Sequence, residues 1–193
     1  KTDGSILFVG TKPQARDVLV EVADTCGMYY IVERWIGGTL TNFSTIKKSI
    51  RRLKILEKDS SPIYKNLTKK ERNQLFREKF KLADLHRGIK DMRHLPSAIF
   101  VVDANHEKIA IAEANCLGIP TFGIVDTNTN PFILDFPIPA NDDSIKTIKL
   151  ILSHISDNIS DELGENKVVL GNQSKKTNNE EVIAADTINQ NKS

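Results

Sequence analysis

Tyr29-Tyr30-Ile31-Val32, then Arg34-Trp35-Ile36-Gly37-Gly38-Thr39-Leu40-Thr41-Asn42-Phe43, is the passage on which the fold turns. The apolar run reads as a strand. The paired glycines let the backbone turn where a side chain would clash. Asn42 or Ser44 is placed to cap a helix that follows to about Lys58. Phe43, Ile46, Ile50, Leu53 and Leu56 recur at intervals of three and four and share one stripe. Lys47, Lys48, Arg51, Arg52 and Lys54 fall largely outside it, so the helix has one face to pack and another to meet anions.

Outward from this passage the pattern alternates. Ile6-Leu7-Phe8-Val9 is a continuous apolar run of the kind a parallel strand buries on both faces. Pro13 can open the next helix, with Val18, Leu19, Val22 and Ala23 as its stripe and Gly27 as its stop. Asp59-Ser60-Ser61-Pro62 breaks the basic helix, and a second runs from a Thr68 cap to about Met92 through Leu75, Leu82, Leu85, Ile89 and Met92. Two long helices around a breaker predict an antiparallel helical hairpin. Ala98–Asp103 and Pro120–Asp126 read as strands, separated by a helix capped at Asn105 with Ile109, Ala112, Ala114 and Cys116 on its stripe. Phe136-Pro137-Ile138-Pro139 is edge-like, because proline belongs at sheet margins. A last helix, capped by Asn141 or Asp142, uses Ile145, Ile148, Leu152 and Ile155. The order predicts a doubly wound α/β domain, mostly parallel and of the Rossmann or flavodoxin type, formed by 1–43 and 94–160. The basic hairpin 44–93 is inserted in it, and the polar composition of 161–193 reads as a disordered tail.

The net charge of +2 conceals a segregation. Ser44 to Arg93 holds 16 Lys and Arg against 6 Asp and Glu, a net of +10, and the remainder carries −8. That distribution suits a polyanionic partner, nucleic acid first, although a solvated Lys-rich hairpin has the same composition. No apolar run approaches the ~18–20 residues of a membrane span, so no membrane partner is expected. Cys26 and Cys116 are far apart in helix-like contexts and read as small buried hydrophobes in a reducing compartment.

The residues do not assemble an active site. Gly10-Thr11-Lys12 follows a strand but lacks the spacing of a phosphate loop. Asp103 and Asp126 end strands and suit helix caps and turns better than a metal or phosphoryl site. His86, His94, His106 and His154 show no ligand spacing, and neither cofactor nor metal is expected. Trp35 could stack on a base or partner, or plug the junction between sheet and hairpin. The rival to a nucleic-acid binder is a nucleotide- or phosphate-binding enzyme using Lys12, Asp103 and Asp126.

Ile6-Leu7-Phe8-Val9-Gly10-Thr11-Lys12, Arg34–Phe43, Ile119-Pro120 with Val125-Asp126-Thr127-Asn128, and Ile138-Pro139-Ala140-Asn141-Asp142-Asp143 together resemble the bacterial-type ribosomal protein S-two family, in order from Ser5 to Ile159. The resemblance implies a structural, non-catalytic constituent of the small ribosomal subunit in translation. It implies binding to small-subunit rRNA and to neighbouring ribosomal proteins, notably the mRNA-binding ribosomal protein one. It implies a cytoplasmic or organellar ribosome as the location. It also implies an N-terminal helical region with a Gly-His motif that this sequence does not include, while Thr129-Asn130 departs from the family's usual wording. Arg34, Lys47, Lys48, Arg51, Arg52 and Lys54 are the expected phosphate contacts.

Overall fold

The computed structural model describes residues 4–58 and 67–162. Its centre is a five-stranded parallel sheet: β1 (Ile6–Val9), β2 (Tyr29–Ile31), β3 (Ala98–Val102), β4 (Thr121–Val125) and β5 (Phe136–Pro139). The spatial order is β2-β1-β3-β4-β5. The chain builds outward from β1 to β2, then returns to the other side of β1, so the strand order reverses between β1 and β3. Register follows the two-residue period. Leu7, Val9, Ile99 and Val101 join the core on one face, and Phe8, Phe100, Val102 and Ile124 the core on the other.

On the second of these faces lie α1 (Pro13–Cys26) and a helix over 145–162, α5. Pro13 opens α1 and Gly27, at φ +66°, closes it. Ser144 accepts the Thr147 N–H at the head of α5, while Asn141 folds back on the N–H groups of Asp143 and Ser144. Helix α5 continues through Asp161 and Glu162, two residues past the expected start of the tail; 163–193 lie outside the described residues.

The first face carries α2 (Phe43–Glu57) and α4 (Lys108–Cys116), and α3 (Lys69–His86) lies against α2. Helices α2 and α3 fall between β2 and β3, and 59–66, with the expected breaker, lie outside the described residues. The two helices pack together, Arg52 on Glu78 and Ser49 on His86. Thr68 and Glu71 form a reciprocal capping box at the head of α3. α3 ends at His86, not Met92, and a 3-10 turn takes over at Arg87–Ile89. Gly88, a poor helix former, sits in that turn, and its backbone lies so close to Tyr30 that an added Cβ would sit 2.2 Å from the Tyr30 carbonyl oxygen.

Helix α4 is rotated from the expected stripe. Ala110, Ile111 and Ala114 are buried with Glu113, while Ile109 and Cys116 are exposed. No side chain caps it at Glu107; Asp103, at φ +67°, accepts the N–H groups of Asn105 and His106 in the turn that precedes it. No helix among the described residues is long and apolar enough to cross a membrane. The outer strand, β5, holds prolines at 137 and 139, and the Ala140 N–H donates to the Val125 carbonyl.

Candidate nucleic-acid interface

The loop 34–43 feeds the basic helix, and one carboxylate fixes its shape. Glu113, on α4 and only 8% exposed, accepts the Trp35 indole N–H (3.1 Å), the backbone N–H groups of Gly38 (2.7 Å), Leu40 (2.9 Å) and Thr41 (3.1 Å), and the Thr41 hydroxyl (3.2 Å). Burial pushes the Glu113 carboxyl up, but the donors from Thr41, Trp35, Leu40 and Gly38 outweigh it and hold the group below the usual carboxylate range. Of the two glycines, Gly38 needs its freedom, at φ +87°. Trp35 is 8% exposed in the core, which settles its role as the plug between sheet and helices. No side chain caps α2: the Asn42 amide oxygen takes the hydroxyls of Ser44 and Thr45 instead.

With the loop fixed, α2 presents its basic residues in two groups. Lys47, Arg51 and Lys54 line a cleft of about 380 Å³, closed on its other side by Lys90, Asp91 and Arg93 and floored by Ile50 and Met92. Lys54 meets Asp91 at 3.0 Å and Lys90 meets Glu57. Lys47 lies over the Phe43 ring at 4.8 Å. Arg51 and Arg93 make no ion pair among the described residues. The Lys54 hydrogen bond, aided by the charges of Lys90 and Arg93, holds Asp91 below its ordinary pKa, a sign of a positive local potential. Such a cleft suits a phosphate backbone. Lys90 and Arg93 are additional to the expected set; their signal was a cation on each side of Asp91-Met92.

The other residues are distributed differently. Arg52 sits on the opposite flank of α2, in a two-pronged pair with Glu78 (2.9 and 3.1 Å) that joins α2 to α3. Lys48 is exposed, and Arg34 is exposed on the loop before the helix. At the foot of the pair, His86 is 1% exposed, with Nε2 2.8 Å from the Ser49 hydroxyl and no hydrogen-bond partner at Nδ1 among the described residues.

Burial lowers the pKa of His86 from 6.5. The unfolded chain therefore binds more protons between the two values, and stability rises with pH there. The contribution is fully present above about pH 6.5 and is lost as pH falls toward the folded value. Urea denaturation at pH 7.5 and pH 5.5 should give a lower midpoint at the acid end. His86→Leu should flatten that difference.

At the switch point between β1 and β3, where doubly wound sheets bind ligands, the polar groups are paired with one another. The backbone N–H and the hydroxyl of Thr11, after β1, both donate to Glu107. The Lys12 ammonium meets Asp143 at 2.6 Å, Asp142 at 2.8 Å and Asp103 at 3.4 Å. Burial pulls the Lys12 pKa down, but these carboxylates more than offset it and hold it well above its ordinary value. Asp126 makes a turn, accepting the Thr127 N–H, and with Asp142 and Asp143 forms an acidic group whose oxygens lie within 4.8 Å of one another. These three have the donor set for a hard cation. Lys12, however, already supplies positive charge to Asp142 and Asp143, and little of its ammonium is left for a phosphate.

Residues 1–162 match the family described as Ribosomal protein S2. The Small ribosomal subunit protein uS2 of Chloroherpeton thalassium is 52% identical over 161 residues, covering 83% of this chain and 64% of the relative. The protein of the same name from Salinibacter ruber is 49% identical over 164 residues, 84% of this chain and 51% of the relative. The chain thus spans between half and two thirds of the length of these relatives. With a family match over residues 1–162 and about half of the residues shared with both relatives, the chain belongs to the ribosomal protein S2 family.

Proposed function

We propose that this chain is a structural, non-catalytic constituent of the small ribosomal subunit, ribosome-bound, whose α2–α3 arm (44–93) docks on small-subunit rRNA through the cleft of Lys47, Arg51, Lys54, Lys90 and Arg93. Arg34 and Lys48 extend the contact on either side. The observation that carries this reading is the convergence of five cations on one cleft, on the scaffold of a ribosomal protein family. Arg52 acts chiefly in holding α2 to α3, because Glu78 takes its guanidinium. Neighbouring ribosomal proteins share the site; that ribosomal protein one is among them rests on the family resemblance, and co-sedimentation of the two purified proteins tests it. The enzyme reading loses ground because the Lys12 ammonium is already shared among Asp103, Asp142 and Asp143.

In a lysate the chain should comigrate with the small subunit and leave it as salt is raised. A chain that stays with free protein at low salt would count against the proposal. Each neutralised phosphate contributes about 0.9 to the slope of log affinity against log salt. Lys47→Ala with Arg51→Ala should therefore reduce that slope by about two for purified rRNA fragments. Arg52→Ala should leave it nearly unchanged. An equal slope for all three proteins would remove the cleft from the contact.

A further inference from the structure

We propose that Phe76 and Phe80 form a stacking platform for unpaired RNA bases on the outer face of α3. The inference rests on the RNA-binding reading above and names a second mode of contact within it. The two rings are one helical turn apart and therefore share a face. Phe80 is 67% exposed and Phe76 42%. That face is turned away from Glu78 and His86, which meet α2, and from the half-buried Leu75 and Leu82 on the same stripe. By the 100° helical step, Lys69 and Arg72 lie on the same side as the rings, and Arg87 follows in the 3-10 turn that ends the helix. Lys69 and Arg72 have no acidic partner among the described residues. Arg87 packs its guanidinium on the Tyr30 ring at 5.9 Å, which leaves its charge in place. The acids of α3 are occupied elsewhere, Glu71 in the capping box and Glu78 with Arg52, which leaves Asp84 at the margin.

Two exposed aromatic rings bracketed by cations are poorly matched to an apolar protein helix, which would bury the charges without counter-ions. They are well matched to a strand whose phosphates meet Lys69, Arg72 and Arg87 while its bases lie on the rings. Duplex RNA hides its base faces, so the platform selects unpaired nucleotides. The cleft at Lys47 and Arg51 has no such selectivity, because it meets phosphates alone. The two contacts therefore predict different responses to the same RNA.

The test uses the full chain, a labelled oligouridine and a labelled RNA duplex, with affinity followed by fluorescence anisotropy across a salt series. Phe76→Leu with Phe80→Leu keeps apolar, helix-compatible side chains but removes the rings. It should weaken oligouridine binding about tenfold or more, leave the salt slope unchanged and leave duplex binding unchanged. Phe80→Trp, which keeps a ring, should retain oligouridine affinity. Wild-type affinity in the leucine variant overturns the platform, as does equal loss on both RNAs, which would mark the rings as part of the fold. Unchanged RNA binding with altered self-association would assign the face to a second copy. If Lys47→Ala with Arg51→Ala lowers the salt slope while the leucine variant binds normally, the RNA reading stands and the stacking falls. If the wild type binds neither RNA at low salt, both fall.

Discussion

Glu113→Ala should destabilise the chain by about 2–6 kcal/mol, the cost of leaving two buried donors without an acceptor. Five donors converge on this carboxylate, all from the loop that positions α2, one of them the Trp35 indole. Without it the N–H groups of Leu40 and Trp35 are left buried and unpaired, at about 1–3 kcal/mol each. Glu113→Gln should fall between: its oxygen still accepts, but its NH₂ faces donors. Urea denaturation should rank wild type above glutamine above alanine. Equal midpoints for glutamine and alanine would show that the network does not act through acceptance. Because the folded carboxyl is depressed, the contribution is present above about pH 4.5, the unfolded value, and disappears as pH falls through the folded one. In Glu113→Gln that acid loss should shrink. RNA affinity should fall together with stability, since the loop no longer aims Lys47 and Arg51.

Gly88→Ala should cost about 3 kcal/mol, the upper end for overpacking a filled site. The new methyl would lie 2.2 Å from the Tyr30 carbonyl oxygen and 2.4 Å from Tyr30 Cδ2. Tyr30 cannot retreat, because its strand is held in register by Phe8 of β1. The 3-10 turn must lift instead, and Lys90 and Arg93, which line the cleft, lie within five residues of it. The denaturation midpoint should fall with the slope against urea unchanged. Gly37→Ala is the control: nothing lies within 4 Å of its Cβ position, and the change should stay within about 0.5 kcal/mol.

Much of the fold is legible in the chain because it is locally encoded. The run Ile6–Val9, Pro13 at a helix start, Gly27 at its end and Phe136–Pro139 at a margin each carry their own signal, and each stands where it was expected. The end of α3 is not legible, because Leu85, Ile89 and Met92 keep helical spacing while the close approach of Gly88 is to Tyr30, distant in sequence. Glu113 is hidden for the same reason. A lone Glu on a short helix reads as surface charge, and its donors lie more than 70 residues earlier. Arg51 and Arg52 are neighbours in sequence, yet a 100° step puts one in the cleft and the other on Glu78. Spacing shows which residues leave the stripe but not which partner waits on either flank.

The prolines of β5 have a consequence for the chain before assembly. In a parallel strand alternate residues turn their backbone polar groups to opposite sides, and the Ala140 N–H points inward to Val125. The outward positions are then 137 and 139, both prolines with no N–H to give. A stray strand arriving at that margin finds carbonyls but no donors. The opposite margin, β2, is three residues long and offers a short template. A newly made copy can therefore wait among many others at high concentration without its sheet being extended by a neighbour.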